Sequence, residues 1–335
     1  MSRTESQKDP AYFSNIFLAS LLLAPSVDLT DPWNYRRLSL KLEQIYEQKL
    51  RFPEMMKVIR ARILISKKLK SEELCEDYTD QAICYKHMSK YRKAIEAGQK
   101  SLEITENTRA LTALGNSYDR LGQIDKAIEK HTQSLEMDKN SGDREGMSVS
   151  LNNLGVCYGN KGEYNTALEK YEECLVINRE VYGDKHPMTA SSIHNMADSY
   201  LRQEKFKLAL EKYEESLEIC RDYYGDISQH PDIARSLSGI GEVLIKLAKY
   251  PEAEEKLQDS LNMWQRIHSE PHDETAESLF WLGEVNFLQG EYNKAQEKNE
   301  AALQMCKAVY KSGHEDIDRC EARLREIKEK MRTDL

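Results

Sequence analysis

The sequence predicts an all-α fold, a solenoid of antiparallel helix pairs, and three observations carry that prediction. One stretch is written twice. LNNLGVCYGNKGEYNTALEKYEECLVI, from Leu151 to Ile177, aligns without a gap on IHNMADSYLRQEKFKLALEKYEESLEI, from Ile193 to Ile219, at an offset of 42 residues. Within each copy the apolar residues recur at helical spacing. Helix breakers are few, with 8 prolines and 15 glycines in 335 residues. A fixed period of this size marks an array of stacked supersecondary units.

Each copy reads as a helical hairpin. Leu151, Leu154, Gly155 and Tyr158 fall at i, i+3, i+4 and i+7, one face of a first helix, here called A. Lys161-Gly162-Glu163 interrupts it, because glycine is costly inside helices and cheap in turns. Tyr164, Ala167, Leu168, Tyr171, Cys174 and Leu175 then form the stripe of a second helix, B. Gly155 and Ala167 are placed where the two helices cross, so that the backbones approach closely. A glycine inside a helix costs about 1 kcal/mol against alanine, and its reuse at one register position implies a packing reason.

In chain order, residues 1–70 form an N-terminal helical region. Its apolar run Ile16–Leu23 is too short to span a bilayer as a helix. Its flanks lack the basic start of a signal peptide, since Glu5 and Asp9 offset Arg3 and Lys8. The run reads as a helix packed on the first repeat or as the tail of an upstream domain. Asp28–Trp33 reads as a turn in which Pro32 favours a helix start. Leu42, Tyr46, Phe52 and Met55 suggest a degenerate repeat over 38–66. Six repeats then fill 71–310, indexed by the small residue of helix A at Ala82, Gly115, Gly155, Ala197, Gly241 and Gly283, with spacings of 33, 40, 42, 44 and 42. In 311–335, Ile317, Cys320, Leu324 and Ile327 make a single apolar stripe on an otherwise charged helix, as a capping element requires.

The pattern resembles the tetratricopeptide repeat, whose helix A carries L-G-x-x-Y and whose helix B carries A-x-x-x-F/Y-x-x-A/S-L. VYGDKHPMTASSIHNMA and YYGDISQHPDIARSLSGIG are similar to the connectors of kinesin light chains and nephrocystin-like proteins, while GDREGMSVSLNNLG is nearer the LGN/Pins type. The resemblance covers about residues 72 to 310. It implies a right-handed superhelix with helix A on the concave side and a protein-interaction role.

Composition narrows the function classes. A net charge of −9 with 31% charged and 40% hydrophobic residues fits a soluble protein and argues against a nucleic-acid partner, which calls for a basic face. No membrane insertion is expected. The seven cysteines are odd in number and contain no C-x-x-C pair, which fits a reduced, cytoplasmic location. No phosphate loop, G-x-S-x-G, H-E-x-x-H or EF-hand loop is present, so no enzyme activity and no cofactor is expected. His268 and His272 flank Pro271 and read as connector, and no metal site is expected.

The A-helix face opposite the core stripe is the candidate binding surface. Helical rotation places Val149, Asn153, Val156 and Asn160 there in one repeat. The same register gives Arg109, Ala113, Asn116 and Arg120 before it and Ser191, Asn195, Asp198 and Arg202 after it. It continues with Arg235, Gly239, Glu242 and Lys246, then Glu277, Trp281, Glu284 and Leu288. The middle repeats thus present Arg109, Arg120, Arg202, Arg235 and Lys246 against Asp198 and Glu242, a reversal of the chain's overall sign. Arginine offers forked donors to carboxylates, and the amides of Asn116, Asn153, Asn160 and Asn195 can pair with an extended backbone. Kinesin light chains hold acidic cargo peptides with asparagines of this helix. Asn153 and Asn195 match that motif, whereas Gly239 and Trp281 depart from it. The expected function is a non-catalytic adaptor or scaffold binding an extended acidic segment of another protein. The alternative is a regulatory module of a larger signalling or enzyme assembly.

Overall fold

The computed structural model describes residue 46 and residues 51–225, 229–268, 271–310 and 314–333. Among these there are fourteen helices and no strand. The run Ile16–Leu23, the turn at Asp28–Trp33 and Leu42 lie outside the described residues.

The helices fall into two compact units that meet in sequence at Lys161–Gly162. The first contains α1 (Phe52–Leu69), α2 (Leu74–His87), α3 (Tyr91–Leu102), α4 (Thr108–Arg120), α5 (Ile124–Ser141) and α6 (Arg144–Asn160). The second contains α7 (Tyr164–Tyr182), α8 (Pro187–Arg202), α9 (Phe206–Tyr224), α10 (Pro231–Lys246), α11 (Tyr250–Ile267), α12 (Asp273–Leu288), α13 (Tyr292–Val309) and α14 (Glu315–Thr333). The repeats are the A/B pairs α2/α3, α4/α5, α8/α9, α10/α11 and α12/α13, while the pair α6 and α7 is divided between the units. Within each unit every helix packs on the next in sequence, and neighbouring A helices also touch, so the A helices line one face.

The turns from A to B share one device. Ser89, Gly122, Gly162, Glu204, Ala248 and Gly290 all adopt positive φ, between 53° and 83°, at the same register position. This left-handed residue ends helix A as a C-cap does. The B-to-A connectors of the second unit share another. His186, His230 and His314 each accept a hydrogen bond at Nδ1 from the backbone N–H two residues on, at 3.1, 3.3 and 3.3 Å. Pro187 and Pro231 take the first helical position, where no N–H is needed. Each of these rings stacks on a tyrosine from the end of the preceding B helix: Tyr182 on His186, Tyr224 on His230 and Tyr310 on His314.

The hairpins close on the small residue of helix A. Ala94, Ala127, Ala167, Ala209, Ala253 and Ala295 of the B helices are all fully buried. The side chain that fills the space above the glycine lies one turn further along helix B, sixteen residues after it. A Cβ at Gly115 would stand 2.5 Å from the His131 ring, at Gly241 2.4 Å from Leu257 Cγ, and at Gly283 2.1 Å from Asn299 Nδ2. The glycines therefore make room for a side chain as well as for a backbone.

Hydroxyl groups tie one repeat to the next. Ser216 donates to the Ala190 carbonyl on its own helix A at 3.0 Å and lies 3.4 Å from Ser236 on the next. Ser260 repeats this with Ala234 (2.8 Å) and Ser278 (3.5 Å). Ser150 donates to Ser134 at 3.0 Å in the first unit. Buried hydroxyls are costly without partners, and these are satisfied.

A continuous apolar core runs through the second unit from Ala190 to Cys320. At its end α14 buries Ile317, Cys320, Leu324 and Ile327. The first unit holds smaller clusters. Tyr46, Met55, Met56, Ile59 and Ile63 join Tyr78 and Cys84 where α1 meets α2. Beside them lies a buried ion network. Arg62, 1% exposed, donates to Asp77 at 2.7 Å and also pairs with Asp80.

Candidate protein-binding face

The A helices of the first unit place Arg109, Asn116 and Arg120 on α4 and Asn153 and Asn160 on α6. Arg109 and Arg120 are exposed, and Asn116 and Asn153 are half-buried. The Arg109 guanidinium reaches across to α2 and donates to Asp80 at 2.9 Å, capping the Arg62 network. Asn160 donates to Asp119 of α4 at 2.9 Å. Ala113, of the same register, is buried with Ala82 and Ala97. Contact between adjacent A helices covers it.

In the second unit Asn195 is half-buried and Arg202, Arg235 and Lys246 are exposed. Arg235 is bound to Asp232 one turn earlier on α10. Asp198 accepts a hydrogen bond from the Tyr213 hydroxyl. Burial, reinforced by the Asp198 charge, pushes the Tyr213 phenol well above its usual range. The Tyr213 ring also explains Gly239, because a Cβ there would stand 2.5 Å from the ring. The asparagine of the repeat pattern would collide with this tyrosine.

Glu242 sits between Asp198, Arg202, Lys246 and Glu277. Burial pushes its carboxyl up to about 7. Glu277 and Asp198 add to that shift, and Arg202 and Lys246 oppose it. Further along, α14 covers the end of the strip. Arg323 donates to Glu284 at 2.8 Å, and the Arg319 guanidinium lies 4.3 Å from the centre of the Phe280 ring. Trp281 donates to Glu277 at 3.4 Å. Of the basic residues on these A-helix faces, Arg109 in the first unit and Arg235 in the second are therefore held by carboxylates, whereas Arg120 in the first and Arg202 and Lys246 in the second make no ion pair among the described residues.

Family models described as tetratricopeptide repeat match residues 110–145, 146–222 and 232–308, more than half of the chain. The chain is a tetratricopeptide repeat protein. Such repeats make it a protein-interaction module. A tetratricopeptide repeat protein from Parabacteroides merdae shares its fold at a TM-score of 0.62 and 15% identity, covering 88% of this chain and 99% of that one. A signal transduction ATPase with numerous domains and a tetratricopeptide repeat sensor, from Pyrococcus horikoshii, matches at 0.59 and 17%, covering 96% of this chain and 50% of that one. BtubC from P. vanneervenii matches at 0.53 and 20%, covering 68% and 92%. At these identities the likeness is one of fold. No curated protein matches the sequence. No described helix is long and apolar enough to cross a membrane.

Sequence reasoning missed the carboxylate partners of the strip. Asp80 lies 29 residues before Arg109 and joins it only because repeats stack. Asp232, three residues before Arg235, was in plain view at helical spacing.

Proposed function

We propose that the A-helix faces of this tetratricopeptide repeat protein bind an extended, acidic segment of a partner protein. The observation that carries the reading is made in each unit by itself: Arg120 stands on the face of Asn116 and Asn153 in the first, and Arg202 and Lys246 on the face of Asn195 in the second, all three exposed cations with no ion pair among the described residues. The amides hold backbone N–H and C=O groups, and the cations meet acidic side chains. Arg109, Arg235 and Asn160 contribute from positions already engaged with carboxylates, so their part is to shape the face. Glu242 adds a pH dependence. Its proton is retained until pH approaches about 7. Below that pH Arg202 and Lys246 face a neutral neighbour, and acidic segments bind more tightly.

The test is fluorescence anisotropy with an extended glutamate-rich peptide and its glutamine counterpart. The Arg202→Glu, Lys246→Glu double variant should lose the acidic peptide and keep the neutral one. Asn195→Ala should weaken both, by about 1–3 kcal/mol. Added salt should weaken the acidic peptide, since partly exposed pairs are screened over about 8–10 Å. Equal affinity of wild type and double variant for the acidic peptide overturns the reading.

A further inference from the structure

Three of the four B-to-A junctions in the second unit follow one plan: tyrosine stacked on histidine, with the histidine Nδ1 accepting a backbone N–H. The junction between α11 and α12 breaks this plan twice. His268 stands where the others have tyrosine, so that two imidazoles stack, His268 on His272, at 3.5 Å. The His272 side chain makes no cap bond. Instead its Nδ1 faces two carboxylates, Asp273 at 2.7 Å and Glu274 at 3.3 Å, and His268 Nε2 lies 3.8 Å from the same Glu274 oxygen. Both ring nitrogens are shielded from solvent and make no hydrogen bond. Three potential donor atoms, two imidazole nitrogens and one carboxylate oxygen, thus lie within 4.8 Å of one another. The pair that reads as connector in the sequence has the donor set of a metal centre.

We propose that His268, His272 and Glu274 form a site for a divalent first-row transition ion, zinc above all, which staples α11 to α12. Two imidazoles and a carboxylate are a donor set that zinc takes readily, at bonds of about 2.0–2.1 Å. Imidazole suits zinc, copper and nickel, whereas calcium and magnesium take oxygen ligands. Small rotations of the two rings bring the nitrogens onto one ion, and Asp273 is placed to orient His272 or to complete the shell. The rest of the stack supports the rings: His268 lies against Trp264, itself 2% exposed. Because the donors come from the end of one repeat and the start of the next, the ion fixes that junction alone.

The experiment is isothermal titration of the full chain with zinc chloride in neutral, chelator-free buffer, with circular dichroism to confirm folding. Wild type should take up one equivalent and gain thermal stability with zinc. His268→Tyr restores the residue type of the other three junctions and should keep the fold while losing zinc affinity at least tenfold. Glu274→Gln, nearly isosteric, should lose tenfold or more. His230→Ala, at a tyrosine–histidine junction, should bind as wild type does. Absence of zinc uptake by wild type, or equal uptake by wild type, His268→Tyr and Glu274→Gln, overturns the proposal.

Discussion

In the first unit the space above the small residue of helix A is filled by His131; in the second it is filled by Leu257 at one level and Asn299 at another. The neighbouring chemistry differs in the same sense. Near α1 and α2 the first unit buries Arg62 between Asp77 and Asp80, and neither nitrogen of the fully buried His131 has a hydrogen-bond partner. The second unit runs an apolar core from Ala190 to Cys320. One repeat template thus supports two kinds of interior. The apolar core of the second unit is flanked by titratable groups of its own, since burial also pushes His194 down and Glu242 up to about 7. A polar interior is specific but leaves titratable groups whose protonation opposes folding.

The largest expected effect is on the ion network. Arg62→Leu removes the guanidinium that donates to Asp77, 0% exposed, at a cost of about 3–5 kcal/mol. Hydrogen exchange followed by mass spectrometry should show protection lost in α1–α3 and kept in α10–α13. A uniform loss across both units would remove the contrast between them. The second effect is pH dependence. Burial pushes His131 down to about 4, from an ordinary 6.5. Between those values the unfolded chain binds a proton that the folded chain refuses. Stability is therefore complete above the ordinary value and falls as pH drops toward 4, by about 3 kcal/mol in all. His131→Leu, which copies the second unit, should flatten the dependence of the urea midpoint on pH, and an unchanged slope would show that other groups set it.

A smaller effect tests the second unit. Gly241→Ala puts a Cβ against Leu257 and should cost about 1–3 kcal/mol, with exchange rising in α10 and α11 and not in α2–α4. The smallest has the opposite sign. Ala248 holds φ of 57° in a turn where Gly122, Gly162 and Gly290 sit elsewhere in the array. Relief of that strain, about 1–2 kcal/mol, exceeds the entropy glycine loses on folding, about 0.5–1 kcal/mol. Ala248→Gly should raise the midpoint slightly, and a lowered midpoint would mean that the alanine methyl contributes packing.

The hairpins, their turns and their order were legible because each is a local consequence of spacing. Leu151, Leu154 and Gly155 mark a helix face without reference to any other repeat. The hydroxyl ties were not read, although Ser150, Ser192, Ser236 and Ser278 recur with the period of the array, because a serine shows its partner only once the hairpins stack. The division at Lys161–Gly162 was not, because it falls inside the best-written copy of the repeat. On the candidate face, Arg120, Arg202 and Lys246, placed there by rotation about the helix axis, are exposed. It had no means of finding that Tyr213 of one repeat occupies the ground above Gly239 of the next. Contacts of that kind depend on how hairpins stack, and stacking brings together residues far apart in sequence.

The ring stacks have an evolutionary consequence. Tyr182 and His186 close over four residues of sequence, and Tyr224 and His230 over six, yet both pairs stack and both histidines cap. The phase of each hairpin is set by the two rings and not by the number of residues threaded between them. Small insertions and deletions at these points are then nearly silent, and whole hairpins can be duplicated or exchanged at a His-Pro boundary with their hinge pins attached. A chimera joined there would inherit its own alignment.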